Sequence, residues 1–354
     1  MPDEKLRITI NGKVVLCSRD ETILDAAKKA EVRIPTLCYD ERLEPYGGCR
    51  LCIVEIKDFP KPVPACTTRV KDKMVISTET DEVRRMRKNI LALLLSNHPN
   101  DCMRCEATGN CALQTLSYEY EVDGTRFAGE TWNLPIRNDN PFITYDPNKC
   151  ILCGRCVRIC NDVVMAGTIE LTGRGFDSRP DTSFGRPRSL DNCEFCGQCV
   201  STCPTGALID RKAVGRGRAY EMTKVKTTCP YCGTGCNFYL NVKDGEVVKV
   251  TSDFEAPVNH GNLCIKGRYG YDFIHSQERI TSPIIKKGGQ YVESTWDEAL
   301  DLVAQRLGEI LQEYGPSSVG AFSSARCTNE ENFLLSKLVR TVFKSNNVDC
   351  CARV

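Results

Sequence analysis

Two cysteine runs of the same spacing dominate the chemistry open to this chain. Cys150, Cys153, Cys156 and Cys160 stand at C-x2-C-x2-C-x3-C, and Cys193, Cys196, Cys199 and Cys203 repeat the pattern ahead of Pro204. Thiolates are soft ligands, suited to zinc or to iron–sulfur clusters. Zinc favours two cysteine pairs split by a longer loop, whereas three cysteines within seven residues suit a cluster. Three more groups follow the same logic. Cys38, Cys49, Cys52 and Cys66 form C-x10-C-x2-C-x13-C; His98 precedes Cys102, Cys105 and Cys111 as H-x3-C-x2-C-x5-C; Cys229, Cys232, Cys236 and Cys264 form C-x2-C-x3-C-x27-C. Zinc is the alternative ligand at the Cys38 group, which contains a C-x2-C pair, and at the His98 group, where a lone histidine near a helix end is otherwise a cap or a surface residue. Of 23 cysteines only Cys17, Cys327, Cys350 and Cys351 stand outside these groups. Cys17 falls on a strand and reads as core; the other three read as non-ligands.

Elements that must carry these groups are legible in turn. Leu6–Ile10 and Val14–Cys17 flank Asn11-Gly12, a two-residue hairpin signal. Asp20 is placed to cap a helix over residues 21–30 whose Ile23, Ala26, Ala27 and Ala30 share one face. A second helix over 81–97, with Val83, Met86, Ile90, Leu93 and Leu94 as its apolar stripe, delivers His98 and is stopped by Pro99. Residues 118–140 carry no usable pattern, and 167–188, rich in Gly, Arg, Pro and Ser, read as a surface insertion between the two runs. The basic stretch 211–218 reads as a solvated linker. A hairpin is expected around Asp244-Gly245. Thr295 with Glu298, and Thr328 with Glu331, form capping boxes for two amphipathic helices with a short strand over 318–322 between them, the pattern of a parallel α/β domain.

Composition sets the class. A balance of 47 basic against 46 acidic side chains gathers no nucleic acid, and no apolar run reaches membrane length. Thiol-rich groups without a signal segment point to a reducing cytoplasm. No triad, P-loop or dinucleotide glycine fingerprint competes with the cysteines.

The double run resembles bacterial two-cluster ferredoxins, in which the fourth cysteine of each run ligates the other run's cluster. That resemblance assigns Cys150, Cys153, Cys156 and Cys203 to one [4Fe-4S] centre and Cys193, Cys196, Cys199 and Cys160 to the other. Hairpin, helix and the Cys38 loop resemble the [2Fe-2S] β-grasp domain of the large iron–sulfur subunit of respiratory complex I and of [FeFe] hydrogenases. The His98 group resembles the [4Fe-4S] site that follows it there, with one histidine and three cysteine ligands. CPYCGTGC, completed by Cys264 and Lys266-Gly267, resembles the [4Fe-4S] domain of molybdenum or tungsten bis-pterin oxidoreductases, in the form seen in formate dehydrogenases. The resemblance makes Lys266 the relay and cofactor-binding residue between cluster and pterin.

The expected architecture is an α+β multidomain iron–sulfur protein. It comprises a [2Fe-2S] β-grasp domain (1–80), a histidine-ligated [4Fe-4S] domain (81–120), a two-cluster ferredoxin domain (138–213), a [4Fe-4S] domain (222–280) and an incomplete α/β pterin domain (281–354). The segment NNVDCCARV resembles that preceding the catalytic selenocysteine or cysteine of formate dehydrogenases, so a selenocysteine is expected directly after Val354, with no catalytic residue in this chain. The resemblance implies one [2Fe-2S] and four [4Fe-4S] clusters, with bis-molybdopterin guanine dinucleotide carrying Mo or W in the complete protein. Interconversion of formate and CO2 is its implied reaction. Its implied electron partner is a flavin and NAD(P)-binding iron–sulfur subunit, with a hydrogenase or soluble ferredoxin as further outlets. The alternative is a non-catalytic electron-transfer subunit of a larger redox complex.

Overall fold

A computed structural model describes residues 5–122, 127–188 and 191–351. The expectation attached to Val354 lies outside them. The chain divides into two compact units, residues 1–224 with 240–251, and residues 225–239 with 252–354.

The first unit opens on β1 (Leu6–Ile10) and β2 (Lys13–Cys17), paired antiparallel with Ile10 opposite Lys13, and both turn residues Asn11 and Gly12 adopt positive φ. Helix α1 (Ile23–Lys29) is capped by Thr22, whose side chain and Asp25 satisfy each other's backbone amides. Asp20, expected in that role, pairs with Arg69 instead. Strands β3 (Ile53–Ile56), β4 (Val63–Pro64) and β5 (Val75–Ser77) complete a five-stranded mixed sheet of order β2-β1-β5-β3-β4. Its core holds Ile8, Ile10, Ile23, Ala26, Ala27, Ile76 and, as expected, Cys17. Burying such side chains stabilises by about 1.5–3 kcal/mol for each large aliphatic one.

Helix α2 (Asp81–Ser96) buries a face that overlaps its apolar stripe, with Val83 buried and Ile90 and Leu94 packed against the core, but that is turned toward Arg87. Val83, Arg87, Leu91 and Leu95 point inward, while Leu93 is 56% exposed. The cause is Arg87, fully buried. Its Nε donates to the Leu51 carbonyl at 3.1 Å, Nη2 to the Ile53 carbonyl at 2.8 Å and Nη1 to the Tyr120 hydroxyl at 2.9 Å, and Nη1 also pairs with Glu79. Those bonds rotate the helix so that a cation clamps both sides of Cys52. Helix α3 (Ala112–Glu119) packs against α2 through Leu113 and Leu116.

Strand β6 (Ile143–Tyr145) pairs antiparallel with β9 (Leu208–Asp210), and between them lie α4 (Arg155–Arg158) and α5 (Gln198–Thr202). The sequence repeat is also a backbone repeat. Leu152 and Phe195 have φ +52° and +54°, and Gly154 and Gly197 both have φ +69°, so each run turns into its helix the same way. The surface insertion expected over 167–188 is instead partly built in. Here β7 (Glu170–Thr172) pairs with β8 (Arg179–Asp181), and Asp181, Thr182 and Arg188 are buried. Stretch 211–218 is no free linker either. Arg216 pairs with Glu246, and Arg218 donates to the carbonyls of Cys105 and Met103.

Strands β10 (Thr223–Thr228), β11 (Asn237–Lys243) and β12 (Glu246–Ser252) follow, with the expected Asp244-Gly245 turn in positive φ. In the second unit, α6 (Ile265–Tyr269) begins at Cys264. A Gly288-Gly289 hairpin joins β13 (Ile284–Lys287) to β14 (Gln290–Glu293), a turn signal the sequence reading passed over. Helix α7 (Trp296–Tyr314) is capped by Thr295, but Glu298 pairs with Lys287, so the expected box is only half formed. The Thr328–Glu331 box of α8 (Asn329–Thr341) is complete. Strand β15 (Ala321–Ser323) lies a residue or more beyond its expected place and pairs in parallel with β16 (Val348–Cys350). That strand–helix–strand order is the parallel α/β pattern. Phe322 on β15 is 89% exposed.

Candidate iron–sulfur centres

Cavities in the ferredoxin-like part sort the eight cysteines. One is lined by Cys150, Cys153, Cys156 and Cys203. The other is lined by Cys193, Cys196, Cys199 and Cys160. The fourth cysteine of each run thus faces the other run's cavity. Burial pushes the thiols up, Cys150 to about 12, Cys153 to about 11 and Cys199 to about 12, with Cys156 also well above its usual value. Thiolates in these cavities therefore need a metal charge to form. Among the described residues no three His, Cys, Asp or Glu side chains converge on a single-ion point. Four cysteines lining one cavity form a donor set that fits a cluster.

Loops around β3 gather the first group. Cys52 Sγ lies 3.3 Å from Cys66 Sγ, and the Cys49 amide donates to Cys38 Sγ at 3.4 Å. Cys38, Cys52 and Cys66 are buried. Cys38 is pushed up by its hydrogen bond with Cys49 and by burial, and Cys66 likewise by Cys52. Gly47 takes φ +69°. Gly48 leaves its side-chain space to the Tyr46 ring.

At the end of α2, the His98 backbone amide donates a hydrogen bond to the Leu95 carbonyl at 3.1 Å. Its Nε2 is buried without a hydrogen-bond partner among the described residues, and Nδ1 accepts from the Asn100 amide at 3.3 Å. Burial lowers the pKa of this imidazole, which favours the neutral, ligating form. Cys102 opens a short 3-10 turn, Cys105 follows it, and Cys111 caps α3, accepting from the Gln114 amide at 3.4 Å.

Both of these groups abut the Cys150–Cys203 cavity. Arg158 on α4 donates to the Cys38 carbonyl at 2.8 Å and lies over the Tyr46 ring at 4.9 Å. On the His98 side, the Ala112 amide donates to the Pro204 carbonyl at 2.9 Å, and a Cβ on Gly206 would lie 2.6 Å from Cys105 Sγ. Asp40, two residues past Cys38, completes the attachment. Burial alone raises its carboxyl, but bonds from Arg42 and Thr202 hold it well below the usual carboxylate range. Arg155 also donates to it at 3.0 Å. Sequence reading passed over Asp40, Arg87 and Arg155, because lone charged residues carry no motif.

In the second unit the Cys229 amide donates to the Cys236 carbonyl at 2.8 Å, folding CPYCGTGC into a closed loop. Tyr231 ties that loop to α6 through the Gly270 carbonyl. A Cβ on Gly267 would touch Cys229 Sγ at 3.5 Å, so Cys264's helix lies against the loop. Cys232 and Cys264 are exposed. Cys232 is lowered first by Thr234 and also by the Lys266 ammonium, which places the exposed Lys266 beside this group. Cys327, Cys350 and Cys351 are exposed.

Family models tile the chain. Residues 3–81 match a 2Fe-2S iron–sulfur cluster binding domain, 87–126 the NADH-ubiquinone oxidoreductase-G iron–sulfur binding region, and 140–209 the ferredoxin-like domain of NADH-quinone oxidoreductase subunit 3. Residues 222–276 match the molybdopterin oxidoreductase Fe4S4 domain and 279–354 molybdopterin oxidoreductase itself. The chain thus joins iron–sulfur domains to molybdopterin oxidoreductase segments. It is 40% identical over 347 residues to "NADPH-Fe(3+) oxidoreductase subunit alpha" of Geobacter sulfurreducens, covering 98% of this chain and 40% of that protein. Identity is 37% over 350 residues to an NADH-quinone oxidoreductase subunit of Rhizobium meliloti, with the same two coverages. It is 33% over 395 residues to "Putative formate dehydrogenase YrhE" of Bacillus subtilis, covering 100% and 40%. The chain therefore spans about 40% of the length of these curated relatives. A chain of an NAD+-reducing [NiFe]-hydrogenase in the H2-reduced state superposes with TM-score 0.54 at 27% identity, over 60% of this chain and 91% of that one. Among the described residues no helix is long and apolar enough to cross a membrane.

Proposed function

We propose that this chain is the electron-transfer portion of a bis-pterin formate dehydrogenase, with its cysteines holding one [2Fe-2S] and four [4Fe-4S] clusters. The observation that carries the reading is the sorting of Cys150, Cys153, Cys156 and Cys203 into one cavity and Cys160, Cys193, Cys196 and Cys199 into the other. Cys38, Cys49, Cys52 and Cys66 would hold the [2Fe-2S] group, His98 with Cys102, Cys105 and Cys111 the histidine-ligated one, and Cys229, Cys232, Cys236 and Cys264 the last. Bound there, the clusters would supply one-electron storage and transfer. The residues around them fix position and charge. Arg158 and Asp40 hold the Cys38 loop against α4 and α5, and Pro204 holds the start of α3. Lys266 sets a positive charge beside Cys232, the position from which it would face a pterin.

In this reading the complete protein converts formate to CO2, a proton and two electrons, or runs the reverse. A flavin and NAD(P)-binding partner is supported by the relatives' names and by the likeness to the hydrogenase chain. A second reading, a nicotinamide-linked electron-transfer subunit without formate chemistry, is favoured by the two relatives at 40% and 37% identity. The ligand assignment is tested by anaerobic reconstitution, which should load about 18 iron atoms per chain. Stoichiometric zinc with little iron would overturn it.

A further inference from the structure

Arg188 is 2% exposed, yet Nε, Nη1 and Nη2 all lack a hydrogen-bond partner among the described residues. A guanidinium taken out of water without a partner is among the most unfavourable arrangements a protein interior can hold, unless a negative charge stands beside it. This one lines the cavity of Cys160, Cys193, Cys196 and Cys199. Its planar group also lies over the Tyr145 ring at 5.0 Å, and Tyr145 lines the other ferredoxin cavity. Glu194 also lines this cavity but is exposed, and two further carboxylates nearby are engaged elsewhere. Asp139 accepts from the Arg188 backbone amide and pairs with Arg137, and Asp181 also pairs with Arg137.

We infer that Arg188 is the built-in countercharge of the centre held by Cys160, Cys193, Cys196 and Cys199, and that it sets this centre's reduction potential above that of its Cys150–Cys203 twin. The reasoning is electrostatic. Four thiolates around a cubane leave net negative charge, reduction adds another, and a fixed cation in a low-dielectric cavity favours the reduced form. Among the described residues the other cavity's lining holds no arginine, so two centres built on one sequence repeat are made unequal by a residue outside the repeat. This inference rests on the ligand assignment proposed above.

The test is a potentiometric titration, followed by electron paramagnetic resonance, of reconstituted wild-type protein and of Arg188→Gln and Arg188→Lys. Iron content and a Cys199→Ala variant first establish that a cluster occupies this cavity. If Cys199→Ala loses no iron, the ligand assignment fails, independently of Arg188. With the cluster present, Arg188→Gln should shift one ferredoxin centre to lower potential and leave the other in place, while Arg188→Lys stays near wild type. An unchanged potential in Arg188→Gln overturns the proposal. If Arg188→Gln fails to assemble the cluster, retention by Arg188→Lys supports the charge role, and loss in both variants overturns it.

Discussion

His98 shows how much one side chain can decide. Its Nε2 is a buried polar atom without a hydrogen-bond partner among the described residues, and in the proposed ligand set a neutral imidazole there would stand for a thiolate, removing one negative charge. His98→Cys should therefore lower the potential of one centre and leave the rest in place. His98→Ala should loosen or lose that cluster, with iron content falling by about four atoms. Iron analysis with spectroscopic potentiometry reads both, and a uniform shift of all centres would contradict the assignment. Arg87 acts at the same scale by other means. It touches no cysteine sulfur, but bonds the carbonyls of Leu51 and Ile53 on either side of Cys52 and so fixes that thiol's backbone.

Among the elements, the decisive junction is between the Cys38 loop and the helices α4 and α5. Asp40 accepts from Arg42, Arg155 and the Thr202 hydroxyl, the last at 2.6 Å, and Arg42 reaches on to Gln198 at 3.1 Å. Asp40→Asn keeps the shape and removes the charge, leaving two arginines facing a neutral amide; the expected loss is about 3 kcal/mol. The sign with pH follows from the lowered carboxyl. Its contribution is complete above the ordinary aspartate pKa of about 3.9 and is lost only as pH falls through the lower folded value. Denaturant unfolding should thus give the same gap between wild type and Asp40→Asn at pH 7 and at pH 5. A gap that shrinks between those two values would contradict the ion-pair account. Iron content should be unchanged, because Asp40 is a positioning residue and not a ligand.

At the scale of the whole molecule, the question is which chemistry feeds the centres. Relatives of similar coverage carry names that point to NADPH, NADH-quinone and formate chemistry, and the chain spans about 40% of their length. The complete protein decides between the readings. Formate should reduce its clusters under anaerobic conditions without a nicotinamide, as followed by bleaching of the visible absorption. Reduction by NAD(P)H through its partner, with none by formate, would select the electron-transfer subunit instead.

The sequence by itself determined the cysteine groups, the histidine beside one of them and the Asn11-Gly12 and Asp244-Gly245 turns. Those depend on spacing along the chain and on local backbone preference, both of which are written locally. Tertiary structure alone decided how far the buried face of α2 turns from its apolar stripe, because Arg87 finds carbonyls 36 and 34 residues away. It decided that residues 167–188 are partly interior, since Arg188 is stable there only beside a cavity that cysteines from two distant runs create. It also decided that Asp40 is a clasp, because its partners come from α4 and α5, more than a hundred residues downstream. A charged residue reads as surface until the structure supplies its partner, and these partners are brought close only by the fold.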